Sequence, residues 1–248
     1  MSFTNKVVLI TGGSSGIGAG AAILFAREAA KVAIVGRNET KLSKTVAECE
    51  KFGKKPLVIV ADVTKDAKRI VDETIAAFGK IDVLINNAGI SRSGCIADGK
   101  LIESYDALMD TNLRSAMNVT MLAAPHLKTT KGNIINISSV GGHKPPTSPL
   151  FTAYCVSKAA LNHFTKAAAI ELAPSGVRVN AISPGPVKTD IIENSDSAIT
   201  WDAFKALTAL GRVAEPEEIA ELLLFLASDK AISITGSNYV SDNGFLLK

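Results

Sequence analysis

The segment from Val7 to Gly18 reads VVLITGGSSGIG and decides the fold of this chain. It opens with a short aliphatic run, which is typical of a strand buried on both faces of a parallel sheet. Glycines follow at Gly12, Gly16 and Gly18, and an amphipathic stretch begins among them. Glycine permits a tight turn, and the free N–H groups at the start of the next helix attract an anion. The segment therefore predicts a strand, a glycine turn and a helix that together bind a phosphate group.

The same alternation of apolar run and amphipathic stretch continues along the chain. Short runs rich in Val and Ile predict strands over Val7–Ile10, Lys31–Val35, Leu57–Ala61, Val83–Ile85, Asn133–Ile137 and Val177–Ile182. Apolar residues at steps of three and four predict helices over Ile17–Ala29, Glu39–Phe52, Lys65–Phe78, Ser104–Leu127, Ala153–Leu172 and Glu217–Leu226. This alternation predicts an α/β protein, a single-domain Rossmann-type doubly wound parallel sheet with helices on both faces.

Composition narrows the class of protein. The 248 residues are 47% hydrophobic, which is enough for one large core, so we expect a single domain over residues 1–248. Lys and Arg number 27 against 24 Asp and Glu, and this small excess argues against a nucleic-acid-binding face. The three cysteines have no CxxC spacing, so we expect free thiols and no metal site. No signal peptide or membrane-length apolar stretch is recognisable, and we expect a cytoplasmic protein without a membrane span.

The end of the second predicted strand bears on which dinucleotide binds. An NAD-type site has a carboxylate here, which holds the ribose 2′-hydroxyl. This strand instead ends Val35-Gly36-Arg37-Asn38, without an acid. Because a guanidinium is a bidentate partner for a 2′-phosphate, we favour NADP(H), with Arg37 as its cation. NAD(H) stays open, since an Arg in a turn is also compatible with a solvated surface residue.

An acid–base pair is the second chemical feature. Tyr154 and Lys158 lie four residues apart in the predicted helix Ala153–Leu172, and this spacing places both on one face. An ammonium near a phenol favours the phenolate, which would bring the tyrosine pKa down toward working pH. Such a tyrosine exchanges a proton with a carbonyl or hydroxyl oxygen. A Tyr-x-x-x-Lys pair is common in ordinary helices, but Ser138 and Ser139 follow the preceding strand at the sheet edge, and this pairing favours a catalytic site.

Seven motifs occur in a characteristic order: Thr11-Gly12-x-x-x-Gly16-x-Gly18, Asp62-Val63, Asn86-Asn87-Ala88-Gly89, Asn112, Ser139, Tyr154-x-x-x-Lys158 and Pro184-Gly185-x-x-x-Thr189. Together they resemble the short-chain dehydrogenase/reductase family, in its branch of about 250 residues. The resemblance covers essentially the whole chain. It implies an oxidoreductase that interconverts a carbonyl and an alcohol by hydride transfer to or from NAD(P).

The resemblance also implies roles for the matching residues. Tyr154 would be the general acid/base, Lys158 would lower its pKa and hold the nicotinamide ribose, and Ser139 would bind the substrate oxygen. Asn112 would disrupt the hydrogen bonding of its helix and hold a water that connects Lys158 to solvent. Tyr154 and Lys158 would also touch the cofactor, together with Thr11, Gly12, Ser14, Ser15, Gly16, Ile17, Gly18, Arg37, Asn38, Asp62, Val63, Asn87, Ala88, Gly89, Pro184, Gly185, Val187 and Thr189.

Two positions depart from the family pattern. Ser14-Ser15 stands where some NADP-using relatives have a basic residue, which leaves Arg37 as the main candidate cation and keeps NAD possible. Asp242-Asn243-Gly244 stands where many relatives have Asp-Gly-Gly. Because Asn tolerates a positive φ better than most residues, we expect this turn to be kept.

The substrate pocket is the least defined part of the site. We expect substrate contacts from Ser91, Ser139, Gly141, Phe151, Tyr154, Ile191 and Trp201. Residues 190–212 predict a small helical lid with an apolar inner face, although the same residues are compatible with simple packing. With no cationic cluster beyond Lys144 and Lys188, we expect an apolar carbonyl or alcohol, such as a steroid, isoprenoid, retinoid or xenobiotic.

Alternatives to this assignment stay open. A 3-oxoacyl reductase or an NAD-dependent alcohol dehydrogenase fits the same motifs, and a catalytically silent dinucleotide-binding regulatory protein fits them less well. The long helices predicted over Ser104–Leu127 and Ala153–Leu172 are apolar on more than one side. The family resemblance implies that these helices pair across a two-fold axis, so we expect a homotetramer built as a dimer of dimers.

Overall fold

A computed structural model describes residues 2–53, 55–146, 148–193 and 200–248. In these ranges seven parallel strands form one sheet in the order β3-β2-β1-β4-β5-β6-β7. The strands are β1 (Val7–Thr11), β2 (Lys31–Gly36), β3 (Leu57–Val60), β4 (Val83–Asn86), β5 (Asn133–Ile137), β6 (Arg178–Pro184) and β7 (Asn238–Ser241). The strand order reverses between β1 and β4, and ligands of open α/β sheets bind at the carboxyl ends of the strands at such a point. The predicted doubly wound parallel sheet is confirmed.

Helices cover both faces of the sheet, as predicted. In the described ranges they are α1 (Gly16–Arg27), α2 (Glu39–Glu50), α3 (Ala67–Phe78), α4 (Leu101–Met109), α5 (Ser115–Thr130), α6 (Thr152–Leu172), α7 (Asp190–Glu193), α8 (Trp201–Ala206) and α9 (Pro216–Ala227). Side chains of α1, α2 and α9 form one buried cluster, and those of α3, α5 and α6 form another. In β1, Val8 and Ile10 join the first cluster and Leu9 joins the second, which is why this strand is apolar at every position.

The helix predicted over Ser104–Leu127 is not continuous, and this prediction is wrong. A π-helical segment, Asp110–Arg114, separates α4 from α5. Asn112 lies in this segment, and its side chain binds the main chain of Ile90: Oδ1 accepts the Ile90 N–H at 2.8 Å, and Nδ2 donates to the Ile90 carbonyl at 3.0 Å. Such π segments are frequent at functional sites. The interruption agrees with the expectation that the helical hydrogen bonding is disrupted at Asn112.

The sequence predicts six strands and misses β7. This strand, Asn-Tyr-Val-Ser, has polar residues at both ends and forms the edge of the sheet beside β6. Val240 is 43% exposed, so the strand has no buried apolar run for a sequence pattern to detect. The turn that follows is kept as expected, since Asn243 and Gly244 adopt φ angles of 51° and 77°. None of the helices in the described residues is both long enough and apolar enough to span a bilayer.

Candidate active site

A cavity of about 900 Å³ runs along the carboxyl edge of the sheet and crosses the switch point between β1 and β4. Residues that follow six different strands, β1 to β6, contribute to its wall. The structure brings these sequence-predicted residues together in the wall: Gly12, Ser14, Ser15, Gly16, Ile17, Arg37, Asn38, Asp62, Val63, Asn87, Ala88, Gly89, Ser91, Ser139, Tyr154, Lys158, Pro184, Gly185, Val187, Thr189 and Ile191.

Other sequence-predicted residues do not line this cavity: Thr11, Gly18, Asn112, Gly141, Phe151 and Trp201. Thr11, Gly18 and Asn112 support wall residues from behind. The Gly141 N–H donates to Ser139 Oγ at 3.1 Å, and Trp201 packs on Phe204 with their ring centres 6.1 Å apart. The part of the predicted lid within residues 194–199 lies outside the described residues.

Hydrogen bonds join the glycine turn after β1 to the loop after β4. Thr11 Oγ1 accepts the N–H groups of Asn87 and Ala88 at 3.0 and 3.1 Å. Asn87 Nδ2 donates to the carbonyl oxygens of Thr11 and Gly12 at 2.9 and 3.1 Å. A methyl group at Gly18 would lie 2.2 Å from the Gly12 carbonyl oxygen, so only glycine allows this approach. The turn is therefore held by the Thr11 and Asn87 side chains, and it includes a close main-chain approach at Gly18 that a side chain would break.

The glycine turn fits the pyrophosphate of a dinucleotide. Gly16 has a φ of 53°, and a Cβ there would lie 2.7 Å from the methyl group of Thr189. A ligand can therefore approach the main chain of the glycine turn directly, without a side chain between them. Ser15 occupies the N-cap of α1 without a side-chain capping bond, so the amides of the first turn stay available. Free amides at a helix N-terminus, with its positive dipole end, are the donor set that binds phosphate.

Arg37 stands at the far end of the cavity, directly after β2. Its side chain is exposed and has no hydrogen bond or ion pair within the part of the chain that the structure describes. Asp62 lies near it, and the pKa of Asp62 is lowered, first by a hydrogen bond from the Thr64 N–H and to a smaller extent by the charge of Arg37. Asp62 Oδ1 also accepts the Thr64 hydroxyl at 2.8 Å. The acid is thus held by Thr64 and leaves the guanidinium able to bind a phosphate.

Ser139, Tyr154 and Lys158 meet at the other end of the cavity. Ser139 follows β5, and its hydroxyl hydrogen-bonds the Tyr154 phenol. Tyr154 and Lys158 are successive cavity-facing residues of α6, with the Lys158 ammonium 5.8 Å from the centre of the tyrosine ring. Lys158 is buried, and its Nζ donates to the Ile137 carbonyl at 2.9 Å. The strand end and the helix thereby position a hydroxyl, a phenol and an ammonium in one place.

Burial shifts the pKa values of both Tyr154 and Lys158, and the expected lowering of the tyrosine pKa by Lys158 stays a prediction. Desolvation by burial raises the pKa of Tyr154, and the hydrogen bond with Ser139 opposes this only in part. Burial also lowers the pKa of Lys158 to about 8, because a charged ammonium is poorly solvated there. The sequence spacing predicts proximity but not the cost of burying both groups. A phenol with a raised pKa keeps its proton at neutral pH and is a proton donor.

Asn112 supports this end of the cavity from the π-helical segment. Its Nδ2 donates to Ser157 Oγ at 3.1 Å, and Ser157 Oγ donates to the Tyr154 carbonyl at 2.7 Å. A Cβ at Gly89 would lie 3.2 Å from Asn112 Oδ1 and 3.5 Å from Lys158 Nζ. Gly89 therefore lies against both the Asn112 amide and the Lys158 ammonium, and its lack of a side chain leaves room for both. The water-holding role expected for Asn112 stays a prediction.

Sequence reasoning missed several wall residues: Lys41, Thr64, Ile90, Ala107, Asp110, Thr111, Ile137 and Asp190. Some stand beside a motif, as Thr64 and Ile90 do, and that adjacency could have found them. Asp190 stands beside Thr189 of the last motif and could have been found in the same way. Lys41 carries no such signal, because its partner Asp190 is 149 positions away and the two residues meet only in the fold, with Nζ 2.5 Å from Oδ2.

Comparison with known proteins agrees with this geometry. The protein-family model described as enoyl-(acyl carrier protein) reductase matches residues 12–246. The 3-oxoacyl-[acyl-carrier-protein] reductase of Thermotoga maritima is 38% identical over 250 residues, covering 100% of both chains. The cyclopentanol dehydrogenase of Comamonas testosteroni is 37% identical and covers 97% of both chains.

Solved structures give the same result. A short-chain type dehydrogenase/reductase from Mycobacterium marinum superposes with a TM-score of 0.94 at 34% identity, over 100% of this chain and 98% of that one. A short chain dehydrogenase from Burkholderia cenocepacia, solved in complex with NADP, gives 0.91 at 32% identity, over 99% of this chain and 100% of that one. Relatives matched along the whole length act on carbonyl or alcohol groups. The chain therefore belongs to the short-chain dehydrogenase/reductase family and is an oxidoreductase.

Proposed function

We propose that this protein uses NADPH to reduce an apolar ketone or aldehyde, with Tyr154 as the general acid. One observation carries the proposal. The Ser139 hydroxyl and the Tyr154 phenol meet at one end of a cavity whose opposite end has the Arg37 guanidinium, with the glycine turn between them. This length of cavity suits a dinucleotide whose phosphates and reacting ring are held at separate places.

The charge at the end of β2 supports NADP(H) over NAD(H). Arg37 stands where an NAD-type site has an acid, and its guanidinium is unpaired among the described residues. A planar guanidinium binds phosphate bidentately, and such charge-assisted bonds are about twice as strong as neutral ones. The Burkholderia cenocepacia relative solved with NADP adds support from a protein of the same fold.

The residues of the chain would supply a proton and an orientation, while the bound cofactor supplies the hydride. Ser139 and Tyr154 would both hydrogen-bond the substrate oxygen and so fix the carbonyl carbon relative to the nicotinamide. Tyr154 would give its proton to that oxygen as negative charge develops on it. Tyr154 carries its proton at neutral pH, since burial moves its pKa further above neutrality, and the protonated phenol is the form that reduction requires. Lys158 would stabilise the resulting phenolate electrostatically.

The cations near the catalytic end support an uncharged substrate. Lys188 pairs with Glu215. The Lys144 ammonium lies 4.8 Å from the centre of the Phe245 ring and donates to the Phe245 carbonyl at 3.4 Å. Lys158 is buried against Ile137. Each of these charges already has a partner, and the wall beside them includes the apolar side chains of Val187 and Ile191.

A 3-oxoacyl thioester is the second candidate substrate. It is favoured by the match to the Thermotoga maritima 3-oxoacyl-[acyl-carrier-protein] reductase over the whole length of both chains. Cyclopentanol dehydrogenase, at nearly the same identity, favours the small apolar ketone instead. The two candidates differ in one testable respect, the thioester chain that a 3-oxoacyl substrate would have to accommodate.

The test is oxidation of NADPH by the purified protein with a panel of carbonyls. The panel contains cyclopentanone, a steroid ketone, an aromatic aldehyde and a 3-oxoacyl thioester. We expect the highest kcat/KM with one of the apolar carbonyls, and a preference for the thioester would make 3-oxoacyl thioesters the substrate class instead.

Titration with NADPH and NADH tests the cofactor preference. We expect Arg37→Ala to weaken NADPH binding about tenfold or more and to leave NADH binding unchanged. NADH binding that equals NADPH binding in the wild type would contradict the NADP(H) assignment.

We also propose a homotetramer. Large apolar side chains are exposed on the helices expected to pair, at Ile102, Tyr105, Met117, Met121, Val156 and Ile170. Ile170 is 79% exposed, and Met121 is 65% exposed. Apolar surface of this extent on neighbouring helices is typical of an interface. Light scattering at micromolar concentration should give four times the chain mass of 25.9 kDa, and a monomeric mass would refute the assembly.

The expected location is the cytoplasm. Cys49, Cys95 and Cys155 are free and buried, which suits a reducing compartment. Cell fractionation with an antibody or a tagged chain tests this, and recovery in a secreted or membrane fraction would contradict it.

A further inference from the structure

An ion pair joins the two sides of the cavity across the glycine turn. Lys41, in the first turn of α2, contributes Nζ from the side of β2, and Asp190, the first residue of α7, contributes Oδ2 from the side of β6. The two atoms are 2.5 Å apart, and both residues line the cavity. No part of the mechanism proposed above uses this pair.

The surroundings of the pair place it among the phosphate-binding groups. Asn38 Oδ1 accepts the Lys41 N–H at 2.9 Å, which fixes Lys41 one helical turn beyond Arg37. On the other side, Asp190 follows Thr189, whose methyl group packs against Gly16, and its carboxylate also hydrogen-bonds Ser15. Lys41 is therefore one helical turn from Arg37, where a 2′-phosphate would bind, and its ammonium pairs with a carboxylate that also contacts Ser15 at the glycine turn.

We propose that Lys41 is a second cation for the 2′-phosphate of NADP(H), and that Asp190 is the counter-ion which the phosphate displaces. This inference rests on the proposed NADP(H) specificity and deepens it. The side chains of Lys41 and Asp190 are 41% and 31% exposed, so the ion pair is partly solvated. Replacing the Asp190 carboxylate by a phosphate as the partner of Lys41 should therefore cost little free energy. A phosphate carries more negative charge than a carboxylate and attracts the ammonium more strongly.

The exchange also gives a physical connection between the cofactor and α7. In the pair, Asp190 holds the start of α7 against α2. When a phosphate takes the ammonium, that restraint on α7 is removed, and Ser15 remains as the partner of Asp190. The 2′-phosphate would therefore be recognised by two cations, one of which is masked until the ligand arrives. A masked cation should also discriminate against NADH, which lacks the group that opens the pair.

The test is a set of binding titrations by calorimetry with 2′,5′-ADP, 5′-AMP, NADPH and NADH. The first two probes differ only by the 2′-phosphate, and neither can react. We expect Lys41→Met to weaken 2′,5′-ADP and NADPH about tenfold and to change 5′-AMP and NADH less than about twofold. Lys44→Met, which removes an exposed lysine from the same helix, is the control for net charge and should change none of them.

A double-mutant cycle separates displacement from general repulsion. Asp190→Asn should tighten 2′,5′-ADP about threefold, because the Asp190 carboxylate then no longer competes with the phosphate for the Lys41 ammonium. In the Lys41→Met background the same substitution should have no effect, since there is no ammonium left to release. If Asp190→Asn tightens binding equally in both backgrounds, the carboxylate acts only as a distant repulsive charge and the displacement is refuted.

Two further outcomes keep this inference distinct from the proposed function. If Arg37→Ala loses NADPH but Lys41→Met does not, the NADP(H) specificity stands and the second-cation role is wrong. If the wild type binds NADH as tightly as NADPH, and 5′-AMP as tightly as 2′,5′-ADP, the proposed specificity itself has failed. Equal weakening of NADPH and NADH by Lys41→Met would place the ammonium on the pyrophosphate and would also overturn the inference.

Discussion

The wall of the cavity is main chain at the glycine turn and side chain at the catalytic end. At the turn, Gly12 and Gly16 adopt positive φ angles, and Gly18 lies so close to Gly12 that no side chain fits between them. At the other end, Ser139, Tyr154 and Lys158 present a hydroxyl, a phenol and an ammonium. The glycine turn depends on the lack of side chains, which leaves space for a ligand, whereas the catalytic end depends on the functional groups of three side chains.

Substitutions in the two regions should therefore impair different properties of the protein. Adding one methyl group at the turn should block ligand binding, because the nearest atoms, such as the Gly12 carbonyl oxygen and Asn87 Nδ2, are held in place by their hydrogen bond. Removing one oxygen at the catalytic end should stop the chemistry while the dinucleotide still binds. The two kinds of damage should therefore be separable in a single protein.

The largest expected effect on binding is that of Gly18→Ala. The added methyl would lie 2.2 Å from the Gly12 carbonyl oxygen and 2.5 Å from Asn87 Nδ2. Overpacking of this kind costs about 1–3 kcal/mol or more, so we expect NADPH affinity to fall about 100-fold. Gly20→Ala is the matched control in the same helix, because its methyl would lie at 3.4 Å from Pro216, an ordinary contact. If both variants bind NADPH like the wild type, the turn is not the dinucleotide cradle.

At the catalytic end, the next largest effect is on stability and depends on pH. The unfolded chain holds the Lys158 proton up to about pH 10.5, whereas the folded protein releases it at about pH 8. Between these values the unfolded state binds more protons, so wild-type stability rises with pH. The Lys158→Met variant has no ammonium to titrate, so its stability lacks this rise. The free energy of unfolding of the variant minus that of wild type should therefore be highest below pH 8 and should fall by up to about 3 kcal/mol on going to pH 10.

Urea unfolding of both proteins at pH 7 and pH 10 measures this change. Lys44→Met is the control, since Lys44 is exposed and should give the same difference from wild type at both pH values. A Lys158→Met difference that is independent of pH would mean that burial does not shift the proton equilibrium of Lys158.

The smallest effect separates two residues of the predicted lid. Ile191 lines the cavity, whereas Trp201 does not. We expect Ile191→Ala to raise KM for an apolar carbonyl about tenfold and Trp201→Ala to change it less than about twofold. Steady-state kinetics with the best substrate of the panel measure both. A larger effect of Trp201→Ala would show that the segment closes over the substrate, which would sharpen the lid prediction.

The strand–turn–helix at β1 could be predicted because its determinants are local. A continuous aliphatic run and three glycines fix the strand, the turn and the anion site within twelve residues. The proximity of Tyr154 and Lys158 could also be predicted, since a four-residue spacing on a helix places two side chains on the same face. These features need no knowledge of the rest of the chain.

Other features depend on parts of the chain that meet only after folding. The π-helical segment at Asn112 depends on the main chain of Ile90, and the pair of Lys41 with Asp190 joins elements 149 residues apart. The raised pKa of Tyr154 depends on burial, which no spacing reports. β7 was missed for a different reason, because an edge strand needs no apolar run.

The most direct test of separate binding and catalytic ends is a comparison of Tyr154→Phe with wild type in both NADPH binding and turnover. We expect kcat for carbonyl reduction to fall by about 10²- to 10⁴-fold, because the general acid is lost. We also expect the Kd for NADPH to stay within about twofold, because the glycine turn and Arg37 are intact. Near-normal turnover, or a loss of NADPH binding as large as the loss of turnover, would contradict the division of the cavity into a binding end and a catalytic end.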